Sequence, residues 1–172
     1  MRHRPGQDMV MAVERVLATK DLVSPRRFDI AVKWRLFRHL RNDNDPDAER
    51  IYRWHILKRS GHRMSIGIPT DKWKRSVEHY LSSAKALYGA MVSEGFDPGF
   101  PIPIDPDGDL LDGSHRLACA LALGIGMVPV ERRKTHVFAP AWDRDWFLAN
   151  GMSVTDLEHI RQDWNALRGL HG

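Results

Sequence analysis

The chain has a single cysteine in 172 residues, Cys119. That excludes an internal disulfide and a cysteine-based zinc site, and it suits a reducing compartment. Long apolar runs are also missing. The longest spans residues 117–123, far short of the roughly 20 residues that a membrane-crossing helix needs. Behind the basic start Met1-Arg2-His3-Arg4 there is no apolar segment of the kind a secretory leader carries, so the expectation is a cytoplasmic protein. The nine histidines include no His-x-x-x-His pair, which leaves zinc chemistry little to stand on. No Walker-type loop, Rossmann fingerprint or Ser-His-Asp signature occurs.

With 42% hydrophobic and 28% charged residues, the chain has material for one core, and a single domain over residues 1–172 is expected. The net charge of +4 hides an uneven division. Residues 1–75 hold 18 Lys and Arg against 9 Asp and Glu, a net of +9; residues 76–172 hold 8 against 13, a net of −5. A basic half is open to two readings: a surface for an anionic partner, such as nucleic acid, a phosphorylated small molecule or an acidic glycan, or a solvated helical face.

Residues 1–70 read as mainly helical. Met9, Val10, Val13, Val16 and Leu17 recur at helical spacing behind Asp8. Residues 24–40 carry two patterns at once: Phe28, Ile30, Val32, Trp34 and Leu36 alternate as in a strand, while Ile30, Trp34 and Phe37 suit a helix. The Ser24-Pro25 start and the length favour helix. Asp45-Pro46 caps another helix running to about Arg59, and residues 60–70 read as a loop. From Asp71 a long stripe through Trp73, Tyr80, Leu81, Ala84, Leu87 and Met91 predicts a helix that Gly95 ends. A β-hairpin follows, residues 100–104 turning through Asp105-Pro106-Asp107-Gly108 into Asp109-Leu110-Leu111. Residues 115–123 form a helix apolar nearly all round, and residues 127–132 a further strand. Two C-terminal helices complete the chain, at 142–149 and from about Ser153 or Thr155 to Leu167, with Thr155-x-x-Glu158 as a capping box.

The chemistry concentrates at Asp112-Gly113-Ser114-His115-Arg116, where a strand gives way to the buried helix. A helix start offers unpaired N–H groups and about half a positive charge. Gly113 permits close approach, Arg116 supplies a planar fork suited to phosphate, and His115 can donate to phosphate or move a proton. Asp112 is placed to hold Mg²⁺ through water or to orient a nucleophile. An ordinary capped helix start is the alternative.

Together the hairpin, Asp-Gly-Ser-His-Arg, the Leu-Ala-rich helix, Gly124 and the strand Val128-Pro129-Val130 resemble the core of the ParB/sulfiredoxin-like superfamily. The resemblance covers about residues 96–133, with 71–94 matching the preceding helix. It implies a small mixed sheet with a buried helix at residues 71–134; with the helical readings at 1–70 and 135–172, the expected fold is α+β. It further implies that residues 112–116 hold nucleotide phosphates. Ser114 stands where sulfiredoxin has its reactive cysteine, so sulfinic acid reduction is not expected, and Cys119 reads as packing. Nor is there the arginine pair or the following helix-turn-helix of chromosome-partitioning proteins. The loop looks most like that of the kinases of free serine. The N-terminal region resembles bacterial ParB-like proteins associated with surface-glycan loci, through Asp29-x-x-x-Lys33 and Tyr52-x-x-His55.

Residues four apart share a face of a helix or of a strand, so Asp29 and Lys33 converge either way, as a catalytic pair or as an ordinary ion pair. Tyr52 and His55 are either substrate-binding or packing residues. The expectation from residues and resemblance combined is an ATP-dependent kinase (ADP or CTP remaining open) acting on a hydroxyl of a small molecule or glycan precursor with Mg²⁺. Gly113, Ser114, His115 and Arg116 would bind phosphate, and Asp112, His115, Asp29 and Lys33 would act in catalysis. A non-catalytic nucleotide-gated or DNA-binding module is the alternative, and a nuclease a more distant one.

Overall fold

Val128 and Val130 alternate with partly exposed residues along a short strand, and both are buried. Such a strand needs partners on both edges, and the chain supplies them from opposite ends. A computed structural model of the protein describes residues 15–60, 76–134 and 141–169. Strand β1 is Arg15–Ala18, β2 is Ile102–Ile104 and β3 is Met127–Arg132. Their order is β1-β3-β2, with β1 antiparallel and β2 parallel to the central β3. Between the parallel pair runs a buried helix, as a parallel connection requires. The fold is therefore α+β, helices packed around a small mixed sheet.

Six α-helices are described: α1 Asp29–Arg38, α2 Ala48–Arg59, α3 Val77–Glu94, α4 Ser114–Ala122, α5 Arg144–Ala149 and α6 Val154–Leu167. The ambiguous stretch around Trp34 is helical, and both of its patterns have a use: Ile30, Val32, Leu36 and Phe37 are fully buried, because α1 packs against α2, α4 and α6. It begins at Asp29 rather than behind Ser24-Pro25, which instead form a turn closed by the Arg27 amide donating to the Ser24 carbonyl. A five-residue π turn at His39–Asp43 follows, and Asn42 and Asn44 take positive φ at the polar break. Asp45 Oδ1 accepts the Asp47 amide at the start of α2.

Three expectations are corrected. Val16 and Leu17 belong to a strand, not to a first helix; pairing with the otherwise open edge of β3 overrides their helical spacing. The returning arm of the hairpin is a single antiparallel bridge, Ile104 to Leu110, because the chain turns at Asp112–Gly113 into the next helix just beyond it. At α6 the cap is Ser153, accepting from the Asp156 amide, so Thr155 and Glu158 are not a capping box. Expectations for Met9, Val10, Val13, Trp73 and residues 61–70 lie outside the described residues.

Candidate functional site

Helix α4, like α1 and α2, starts without a capping side chain. At α3, α5 and α6 a Ser or Asp side chain accepts a first-turn N–H. At α4 the N-cap is Gly113, in the left-handed region at φ 83°, with no capping side chain. The first-turn amides of Ser114, His115 and Arg116 have no carbonyl four residues back within the helix. Ser114 is thus the first helical residue and not the expected cap, and its hydroxyl is engaged elsewhere. A Cβ on residue 113 would stand 2.9 Å from Nη2 of Arg116, whose guanidinium lies over the glycine while its Nη1 donates to the Phe100 carbonyl. Asp112 Oδ1 accepts the Gly113 amide at 2.6 Å, committing one carboxylate oxygen to the turn.

This turn floors a cavity of about 250 Å³ lined by Asp112, Gly113, Ser114, His115 and Arg116, with Ser83, Ala84 and Leu87 of α3 as its wall. A second hollow of about 280 Å³ shares Leu87 and Arg116 with it. Its lining is more apolar, including Ala90, Met91, Phe96 and Phe100, with Glu94 and Asp97 at hand.

Behind the floor lies a dry ionic cluster. Asp29, at the start of α1, has no exposed surface. Arg27 meets it with two bonds, Nε to Oδ1 at 2.7 Å and the second guanidinium nitrogen to Oδ2 at 3.0 Å. The remaining terminal nitrogen of Arg27 donates to the Leu110 carbonyl at 2.8 Å. Lys33 Nζ, equally buried, lies 2.5 Å from Asp29 Oδ2 and 2.8 Å from Ser114 Oγ. Burial works to raise the Asp29 pKa, but Arg27 and Lys33 together hold it well below the carboxylate range. Lys33 moves the opposite way: burial, reinforced by Arg59 and Arg27, outweighs Asp29 and brings its pKa from 10.5 down to about 7.

The expected residues therefore occupy different depths. Asp112, Gly113, Ser114, His115 and Arg116 line the cavity, and Lys33 joins them through Ser114. Asp29 has no surface to offer a substrate; its observed contacts hold Arg27 and Lys33 in place. Tyr52 is buried, with its hydroxyl 2.8 Å from His115 Nε2, so it orients the imidazole from behind. His55 is enclosed by Trp142, Trp146 and Phe147, and neither ring nitrogen has a hydrogen-bond partner among the described residues. Burial, then the Lys33 charge, keeps its pKa well below the usual value, so the ring is neutral. The ring has no exposed surface.

No known family, curated protein or solved structure matches the chain. The site therefore has to be read from its own geometry. Sequence reasoning missed Arg27, Arg59 and Trp142. Arg59 donates to the Tyr80 hydroxyl at 3.1 Å and lies over the Tyr80 and Trp142 rings. Arg27 and Lys33 also approach the face of Trp142, at 5.3 and 5.7 Å from the centroid. Cys119 is buried, and burial pushes its thiol up to about 12, in keeping with a packing role. Among the described residues no group of three or more His, Cys, Asp or Glu side chains could hold a metal.

Proposed function

We propose that this chain is an ATP-dependent phosphotransferase of the ParB/sulfiredoxin-like kind, acting on a hydroxyl of a small molecule or glycan precursor. One observation carries the reading: the uncapped start of α4 opens into a cavity already furnished with Ser114, His115 and Arg116. Backbone N–H groups, a positive helix end, an imidazole and a guanidinium are what a phosphate chain requires, and phosphoryl transfer asks mainly for positioning and charge neutralisation. The adjoining apolar hollow suits a purine, with Phe96, Phe100 and Met91 against its faces and Glu94 or Asp97 accepting from an exocyclic amine.

Asp112 is the one carboxylate among the residues that line the phosphate cavity. Mg²⁺ commonly keeps several waters and takes only one or two carboxylates beside the phosphates, so a lone Asp112 fits that ion better than a metal needing an all-protein cage. When bound, Mg²⁺ would neutralise charge on the phosphates. His115 would donate to a phosphate oxygen while Tyr52 fixes its ring.

The test is thermal unfolding with ATP, ADP or CTP, each with and without Mg²⁺. Nucleotide at about 100 times Kd should raise Tm by about 5–10 °C for a chain of this size. The variant with both His115→Ala and Arg116→Ala should unfold cooperatively and lose that rise. A rise that survives both substitutions would place the nucleotide elsewhere and overturn the reading.

A further inference from the structure

The ionic cluster behind the cavity holds one charge too many. Arg27 meets Asp29 with two hydrogen bonds and already balances it. Lys33 is a second cation on the same carboxylate, with no exposed surface and with Arg59 adding repulsion. The low-cost way to discharge such a cluster is for Lys33 to give up its proton. A neutral amine keeps two N–H donors and gains a lone pair. It can still donate to Asp29 Oδ2, and at 2.8 Å its lone pair can accept the Ser114 hydroxyl proton. Ser114 in turn is the lining residue that joins this amine to the cavity, on the first turn of α4 beside the helix-start amides. Serine paired with a buried lysine is an activated nucleophile, the base being held in turn by a third group.

We infer that Ser114 is the first acceptor of the phosphoryl group, with Lys33 as its general base, so that transfer runs through a phosphoserine enzyme. The inference rests on the nucleotide reading above. In the first half-reaction Ser114 Oγ bonds to the γ-phosphorus and the bond from that phosphorus to the β,γ-bridging oxygen breaks. ADP leaves with that electron pair, and the Oγ proton passes to Lys33 Nζ. In the second, the acceptor hydroxyl attacks the same phosphorus and releases its own proton to Asp112 or to solvent. Ser114 Oγ leaves and recovers its proton from Lys33. Arg27 and Asp29 are positioning residues: they hold the amine against Ser114 and touch no substrate.

The experiment uses the full chain with ATP and Mg²⁺ and no acceptor, quenched in acid and mapped for phosphopeptides. In parallel, labelled ADP is followed into ATP, which detects a phosphoenzyme even where little accumulates. Phosphoserine at Ser114 and ADP–ATP exchange are the expected results. Ser114→Ala should lose both while ATP still raises Tm, because the substitution keeps the backbone N–H of residue 114. Lys33→Met should slow both by about 10²-fold or more, the usual contribution of a positioned base. Lys33→Arg, which keeps the charge but cannot surrender its proton, should do the same should the methionine variant fold poorly. A chain stabilised by ATP that shows neither phosphoserine at Ser114 nor exchange overturns the inference and leaves the nucleotide reading intact. A chain that ATP does not stabilise overturns both.

Discussion

At the scale of single residues, buried Asp29 and Lys33 give pH signatures of the same sign in two separate windows. Lys33 binds its proton with a pKa of about 7 in the folded chain against an ordinary value of 10.5. Between those values the unfolded chain holds more protons, so stability rises with pH across that window, and the penalty is fully present below about 7. Asp29 acts at the acid end: its lowered pKa supplies stability that is present above 3.8 and lost as pH falls further. The groups facing Lys33 are Asp29, Arg27, Arg59, His55 and Ser114. Since His55 stays neutral, the pH dependence of phosphoserine formation should be a single rise centred near 7 in rapid-quench measurements. A flat profile from mildly acid to mildly alkaline pH would remove Lys33 as the base.

His55 itself is expected to be replaceable. Two buried ring nitrogens without partners cost about 1–3 kcal/mol, which a phenyl ring would not incur. With Phe147 stacked at 5.4 Å and two tryptophans edge-on, His55→Phe should leave stability equal or raise it by up to about 2 kcal/mol in urea unfolding. A loss of 2 kcal/mol or more would mean that the imidazole has a function its packing does not reveal.

Among the elements, α4 decides the geometry of the site. Leu117, Ala118, Cys119 and Ala120 are all fully buried, and the three small side chains let α1 come close enough for Lys33 to reach Ser114. Leu117→Ala should cost about 2–5 kcal/mol by the lost burial and the cavity it leaves. Ala118→Leu should cost about 1–3 kcal/mol by overpacking, and it should weaken phosphorylation of Ser114 more than nucleotide binding, because only the former depends on the approach of α1. Urea unfolding, paired with the nucleotide-induced Tm rise, separates the two effects. Much of this was legible in the sequence. The Asp-Gly-Ser-His-Arg run announced a helix start, and the i,i+4 spacing of Asp29 and Lys33 announced a pair. What spacing could not show is depth. Whether that pair faces solvent or core depends on α4, 81 residues away, and the alternating pattern of residues 28–36 fits either outcome. The strand of Val16 and Leu17 was hidden for the same reason, since its partner lies beyond residue 126.

At the scale of the molecule, the charge division is bridged, among the described residues, by pairs across it. Cations of the basic half meet acids of the acidic half: Arg26 with Asp109, Arg35 with Asp163, Arg50 with Asp156, Arg53 with Glu78. Arg27 and Lys33 are consumed inside. Among the described residues these cations are engaged by carboxylates, whereas a phosphate backbone rewards several unpaired cations side by side. Little duplex DNA should therefore be retained even at low salt in an electrophoretic shift assay. Tight retention that weakens steeply as salt rises would favour the DNA-binding alternative.

Trp142 lies under three cations at once: Arg27, Lys33 and Arg59 sit 5.3, 5.7 and 5.4 Å from its ring centroid. Of these only Lys33 changes charge near neutrality. An indole is sensitive to nearby charge, so the emission colour of Trp142 should track the proton on Lys33. The difference between the spectra of the native chain and of Trp142→Phe would then be an optical titration of the buried amine, readable without substrate, nucleotide or label.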